Sequence, residues 1–139
     1  MTTHTGDRSR LAVPGLGLLR AAARRLWVRR RPAPAVDRQP LARSDEVGRH
    51  ILVCRADLAG QPRTVLVWRT RDDQPIAMDA RCPHRQLPMI RARLVDDAIE
   101  CPFHGRRYSP TGRCVNVRGT RPATVLKVRE AAGVLWLES

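Results

Sequence analysis

Short apolar stretches, separated by polar turn sequences, run from about residue 50 to the end of the chain. HILVC at 50–54 and TVLVWR at 64–69 are rich in β-branched residues, which favours strands. RDDQP at 71–75 is a typical turn sequence, and PIAMD, which follows it, predicts a further strand. The pattern therefore predicts antiparallel strands joined by tight connections.

The second half of the chain repeats this pattern on a smaller scale. Asp96 and Asp97 lie between RLV and AIEC, which predicts a hairpin. SPTGR at 109–113 predicts a turn that leads into a strand at CVNV. Residues 124–129 are expected to pair with residues 134–137 across one more tight connection.

Helix signals are absent after residue 40, apart from SDEV at 44–47, where we expect a single turn. Strands without helices predict an all-β sandwich of small antiparallel sheets. A length of 139 residues with 42% hydrophobic residues is enough for one small domain with a modest core.

Residues 1–40 differ in character, because they hold nine arginines, two acidic residues and several prolines that break any long element. We place the domain boundary near Pro40, which leaves the folded domain at 41–139. A helix at 16–31 would be basic and amphipathic. The longer segment 11–31, which contains it, would then suit an anionic membrane surface or an acidic protein. We favour a poorly ordered extension instead.

The formal net charge of +13 raises the question of a nucleic-acid partner. Aromatic residues make up only 4% of the chain, which leaves little to stack on bases, so no nucleic acid is expected. No apolar run reaches the roughly 18 residues of a transmembrane span. The densest positive charge follows the early apolar run instead of preceding it, unlike an export signal, and we expect a cytoplasmic protein.

Two short segments carry the candidate chemistry. CPH places Cys82 beside His84, and CPFHG places Cys101 beside His104. Two thiolates and two imidazoles are the ligands of a [2Fe-2S] cluster with cysteines on one iron and histidines on the other. A common zinc finger has both cysteines before both histidines, although a zinc site of unusual spacing remains an alternative. The proline after each cysteine keeps its loop extended, and Gly105 leaves room for close approach to a cluster.

The stretch CPHRQLPMIRARLVDDAIECPFHGRRYSPTGRC resembles the Rieske domain of ring-hydroxylating oxygenases and the stand-alone Rieske ferredoxins. The similarity extends over about residues 41–139. It implies a Rieske-type sandwich with a cluster-binding subdomain of two ligand loops. It also implies one [2Fe-2S] cluster, for which Cys82, His84, Cys101 and His104 would be the cofactor and metal ligands.

Rieske proteins of respiratory chains join their two ligand loops by a disulfide, and at the corresponding positions this chain has Leu87 and Phe103. Those proteins also place a serine and a tyrosine hydroxyl against cluster sulfur. Here Arg106 takes the place of the serine, while Tyr108 matches the tyrosine. Since hydrogen bonds to sulfur stabilise the reduced state, losing one predicts a low potential, on the order of −150 mV.

The resemblance implies an electron carrier between a flavin-dependent reductase and a terminal oxygenase. The alternatives are the Rieske component of a split or truncated oxygenase, and a redox-sensing interaction module. The facial triad that holds a mononuclear iron needs two histidines and a carboxylate, which the family carries in a second domain. We find no such domain in this sequence, so no catalytic residues are expected. Arginines that flank both loops are candidates for docking an acidic partner, namely Arg81, Arg85, Arg106 and Arg107.

Overall fold

The computed structural model describes residues 38–138. Ten strands and no helix occur in this part of the chain. The strands are β1 (Arg38–Arg43), β2 (Leu52–Leu58), β3 (Gln61–Arg69), β4 (Pro75–Asp79), β5 (Arg93–Val95), β6 (Ala98–Glu100), β7 (Arg107–Tyr108), β8 (Val125–Leu126), β9 (Val128–Ala131) and β10 (Val134–Glu138). They form three antiparallel sheets, in the orders β1-β10-β9, β2-β3-β4-β8 and β5-β6-β7. The predicted all-β fold is therefore confirmed.

The four-stranded sheet forms the centre of the domain because β3 and β4 are buried on both faces. Val65 and Val67 point into a core shared with Leu135 of β10. Leu66 and Trp68 alternate with them and pack into a second core, beneath the two cysteine-containing loops. The uninterrupted apolar run in β3 thus reflects a strand covered on two sides rather than one.

The three-stranded sheet β5-β6-β7 carries the second cysteine loop. Its hairpin turns at Asp96, which adopts a positive φ of 56°, a conformation that aspartate tolerates better than most residues. Trp68 of the central sheet donates its indole N–H to the carbonyl oxygen of Asp97 at 3.2 Å. This bond joins the hairpin to the core and satisfies the polar atom of a fully buried side chain.

The N-terminal strand β1 was not predicted. It pairs with β10, at the other end of the described chain, and its register shifts between Pro40 and Ala42. Proline has no N–H to donate and is tolerated in sheets at edges and irregularities of this kind. Its strand begins at Arg38, two residues before the predicted boundary at Pro40. Residues 1–37, including the proposed helix at 16–31, lie outside the described part.

Several predicted elements are confirmed, one is confirmed in part and one is wrong. The strand at PIAMD and the hairpin at Asp96-Asp97 occur as predicted. Of the residues 124–129 that were expected to pair with 134–137, Val128 and Arg129 do so within β9, whereas Val125 and Leu126 form β8 and pair with β4. The expected turn after Arg43 is present, where Glu46 donates its N–H to the Arg43 carbonyl at 3.1 Å. The predicted strand at CVNV is absent, because residues 115–117 form part of an irregular loop. Within residues 38–138 no helix is long and apolar enough to cross a membrane.

Candidate metal centre

The two cysteine-containing loops share one backbone design. In the first loop, Cys82 receives the N–H of Gln86 on its carbonyl at 2.7 Å and donates its own N–H to the Leu87 carbonyl at 2.9 Å. In the second loop, Cys101 receives the N–H of Gly105 on its carbonyl at 3.0 Å and donates its own N–H to the Arg106 carbonyl at 2.8 Å. Each loop is therefore closed by a matching pair of hydrogen bonds around its cysteine.

A left-handed residue closes each loop at the same position, four residues after the cysteine. Gly105 adopts a φ of +65°, which suits a residue without a Cβ atom. Gln86 adopts a φ of +58°, which is uncommon for a residue with a side chain. The histidine lies two residues after Cys82 but three residues after Cys101. The two loops thus share a fold although their histidine spacing differs.

The sulfur atoms lie inside and the imidazoles outside. Cys82 and Cys101 are 2% and 1% exposed, while His84 is half-buried and His104 is exposed. The two imidazole centroids are 5.2 Å apart, with the rings nearly perpendicular at 87°. Burial raises the pKa of the Cys101 thiol, and its neighbour Cys82 adds to the effect. The structure brings all four predicted ligands together, two sulfurs behind two nitrogens.

This donor set fits a binuclear cluster. The Nδ1 atom of His84 is buried and has no hydrogen-bond partner among the described residues, which is unusual for a native structure unless the atom has another ligand. Burial, with the charges of Arg106 and His104, holds the pKa of His84 below its usual range, so its ring is neutral and able to ligate. No group of three or more candidate ligands for one metal ion occurs within residues 38–138. Each iron of a Rieske cluster takes only two protein ligands.

Tyr108 lies directly against the sulfur layer. Its hydroxyl oxygen is 3.3 Å from Sγ of Cys82, and the whole side chain is buried. Burial and the neighbouring Cys82 raise the pKa of Tyr108, so the hydroxyl keeps its proton at neutral pH. If the sulfur is an unprotonated thiolate, the hydroxyl is the donor of this bond. Tyr108 is therefore placed where the sequence predicted a donor to cluster sulfur.

A third loop at residues 113–122, which the sequence analysis missed, supports the second ligand loop. Asn116 accepts the N–H of Arg107 at 2.8 Å and donates to the carbonyl of Gly105 at 2.8 Å. Arg106 donates from Nη1 to the hydroxyl of Thr120 at 2.5 Å. The sequence signal for this role is an asparagine in an arginine-rich stretch, which is too common to single it out.

The four predicted docking arginines lie in different environments. Arg81 and Arg85 are exposed and form no ion pair with another described residue. Arg107 is bound to Glu100 at 2.7 Å, and this bond, with one from Arg93, holds the pKa of Glu100 below its usual range. Arg106 is half-buried against the third loop. Arg81 and Arg85 are thus the members of this set with unpaired charge at the surface.

Comparison with known proteins places this geometry in a family context. The Rieske [2Fe-2S] domain family matches residues 37–130. The chain is 43% identical over 54 residues to the oxygenase component of chloroacetanilide N-alkylformylase from Rhizorhabdus wittichii, covering 39% of this chain and 16% of that protein. It is 35% identical over 69 residues to the oxygenase subunit of 3-chlorobenzoate-3,4-dioxygenase from Comamonas testosteroni, covering 43% and 16%. The chain therefore spans about a sixth of the length of these relatives.

Solved structures share the same fold. A chain from the complex of reduced oxygenase and oxidized ferredoxin in carbazole 1,9a-dioxygenase aligns with a TM-score of 0.62 and 25% identity, over 73% of this chain and 92% of that one. The ferredoxin of Sphingomonas yanoikuyae B1 aligns with a TM-score of 0.63 and 18% identity, over 74% of this chain and 99% of that one. Nearly the whole of each of these two chains therefore corresponds to the domain described here.

Proposed function

The chain belongs to the Rieske [2Fe-2S] domain family, and from this premise we propose that it relays single electrons through the [2Fe-2S] cluster that such a domain carries. In this proposal Cys82 and Cys101 would hold one iron of the cluster, and His84 and His104 would hold the other. The observation that supports it most directly is the layering of two buried thiols behind two adjacent imidazoles. When bound, the cluster accepts and returns one electron at a time.

The protein supplies the surroundings of this exchange. The core behind the thiols contains Trp68, Met89 and Ile99, each fully buried, so water is excluded from the sulfur side. On the other side, His104 is exposed and Phe103 is 51% exposed, which gives a redox partner direct access to the imidazole edge. Electrons would therefore enter and leave through the histidine face. Cys54 and Cys114, the two cysteines of the described part outside the proposed ligand set, form no disulfide, which suits a reducing compartment, and we propose a cytoplasmic location.

The partners in this proposal are a flavin-dependent reductase as donor and a terminal oxygenase as acceptor. Arg81 and Arg85 would attract acidic partners, and this steering would weaken with salt. A second candidate function, the Rieske component of a split oxygenase, is favoured by the relatives that are oxygenase components. Stoichiometric co-purification with a separate mononuclear-iron subunit would support this second function over a free carrier.

The relay is tested by cycling the anaerobically purified protein between a flavin hydroquinone as donor and ferricyanide as acceptor. Visible absorption follows the cluster through each cycle. We expect repeated one-electron reduction and oxidation, with the absorption of the oxidised protein fully recovered after each cycle. Irreversible bleaching in the first cycle, or a cluster that no flavin donor reduces, would contradict a relay function. Charge reversal by Arg85→Glu should slow the flavin step with an acidic reductase and leave the absorption unchanged.

A further inference from the structure

The loops around the histidine face contain no acidic residue. From 80 to 92 and from 101 to 124 the chain has arginines but neither aspartate nor glutamate. Of these arginines, Arg107 is paired, through Glu100 at the end of β6. Elsewhere in the described part, carboxylates face the basic residues closely, as Glu130 does with Arg69 at 2.7 Å. Apart from Arg107, the positive charge of the histidine face therefore has no ion-pair partner among the carboxylates of the described residues.

A cleft of about 410 Å³ opens in this surface between the first ligand loop and the third loop. Its walls include Pro83, His84, Arg106, Arg118, Thr120 and Arg121. Arg118 and Arg121 are exposed, and no carboxylate of the described residues forms an ion pair with any of the three guanidinium groups. The cleft thus gathers three positive charges beside a proposed cluster ligand.

Arg106 lines this cleft, and its guanidinium is already held in place on one side. Its Nη1 atom is fixed by the hydroxyl of Thr120, while its Nε atom is buried and has no hydrogen-bond partner among residues 38–138. A guanidinium offers donors in a planar fork, and carboxylate and phosphate oxygens match that fork. Three like charges around one space also repel each other, and a bound anion would remove that repulsion.

We propose that this cleft, formed by Arg106, Arg118 and Arg121 beside His84, is a binding site for an oxyanion of the carboxylate or phosphate type whose occupancy is linked to the oxidation state of the protein. The proposal rests on the cluster assignment of the proposed function. The anion is either free in solution or carried on the side chains of an acidic partner.

The linkage follows from charge. One electron from dithionite makes the protein one unit more negative next to the cleft, so an anion there is repelled in the reduced state. Linkage is reciprocal, and an anion that binds the oxidised form more tightly must lower the reduction potential by the equivalent amount. For an affinity ratio of about threefold, the fall is about 30 mV in a one-electron couple.

The test uses the cluster-loaded protein in a zwitterionic buffer, with ionic strength held constant by sodium chloride. Sodium phosphate and an acetylated, amidated oligoglutamate peptide are titrated separately by calorimetry, and the potential is measured with and without each titrant. The test variant is Arg118→Gln with Arg121→Gln. The matched control is Arg55→Gln with Arg129→Gln, which removes the same charge from exposed positions in β2 and β9.

We expect at least one titrant to bind, the test variant to weaken its binding about tenfold, and the control to weaken it less than about twofold. Binding of phosphate alone identifies a free anion, and binding of oligoglutamate alone identifies a side chain of a partner. The proposal is overturned if neither titrant binds, if both variants lose binding equally, or if the potential is unchanged by a bound titrant. Visible absorption on the same samples reports the cluster, so a colourless protein counts against the proposed function instead.

Discussion

Replacing Tyr108 by phenylalanine removes one hydroxyl and keeps the buried ring. The hydroxyl lies 3.3 Å from Sγ of Cys82, and it is the one tyrosine hydroxyl of the chain. Adding an electron to the cluster makes its sulfur ligands more negative, so the bond is stronger in the reduced state. Tyr108→Phe should therefore lower the reduction potential, because it takes more stabilisation from the reduced form than from the oxidised form.

The size of the effect follows from the strength of such bonds. A hydrogen bond between neutral groups is worth about 0.5–1.5 kcal/mol, and one to a charged group about 1.5–3 kcal/mol. Reduction makes the acceptor sulfur more negative, so the hydrogen bond strengthens part of the way from the neutral to the charged value. The bond is therefore stronger in the reduced than in the oxidised state by roughly 1 kcal/mol. Since about 1.4 kcal/mol corresponds to 59 mV in a one-electron couple, the expected fall is about 40 mV.

Protein-film voltammetry measures this change directly. Ser109→Ala is a matched control, because it removes a hydroxyl from the same segment whose bond is to Thr111 and not to sulfur. The control should leave the potential within about 10 mV of the wild type. An unchanged or higher potential in Tyr108→Phe, with full cluster content by absorption, would refute the assignment of this bond.

Cys82→Ala should abolish the cluster absorption, and an unaltered spectrum in this variant would exclude Cys82 as a ligand. His84→Cys should keep a cluster at a lower reduction potential, as voltammetry and EPR would show. Asn116→Ala removes the two side-chain hydrogen bonds to Gly105 and Arg107 of the second ligand loop and should speed loss of the cluster to a chelator several-fold. Equal rates of loss in the variant and the wild type would show that Asn116 gives this loop no support. Arg69 holds the pKa of Glu130 below its usual range through their hydrogen bond. The ionised carboxylate therefore adds to the free energy of unfolding. This contribution is complete above the unfolded pKa of about 4.3 and is lost as pH falls through the lower folded pKa. Glu130→Gln should therefore cost about 0.5 kcal/mol in urea unfolding near neutral pH and nothing in acid, and a cost that persists in acid would contradict this origin.

The sequence predicted those elements whose signals are local. The hairpin at Asp96 and the pairing of β9 with β10 depend on turn residues between short apolar runs, and both are present. The strand β1 was missed because its partner, β10, lies at the far end of the described chain and because Pro40 argues against a strand. Pairing between distant segments leaves no signal in either segment alone.

The predicted strand at CVNV was wrong for a different physical reason. Its alternating pattern resembles a strand, yet the side chain of Asn116 takes the hydrogen bonds that a neighbouring strand would otherwise supply to Gly105 and Arg107. The cysteine and histidine spacing predicted which residues would come together. It could not predict that the two ligand loops share one backbone design, since Gln86 occupies a position that glycine occupies in the second loop.

We propose that two imidazole nitrogens and two thiolates hold one binuclear cluster. Pulsed EPR of anaerobically purified, dithionite-reduced protein, with iron and sulfide analysis of the same sample, is the sharpest test of this ligand set. We expect two irons and two inorganic sulfides in each chain, and nitrogen couplings from two histidines that disappear one at a time in His84→Cys and His104→Cys. A colourless protein with a single bound zinc, or a cluster signal without histidine nitrogen coupling, would contradict it.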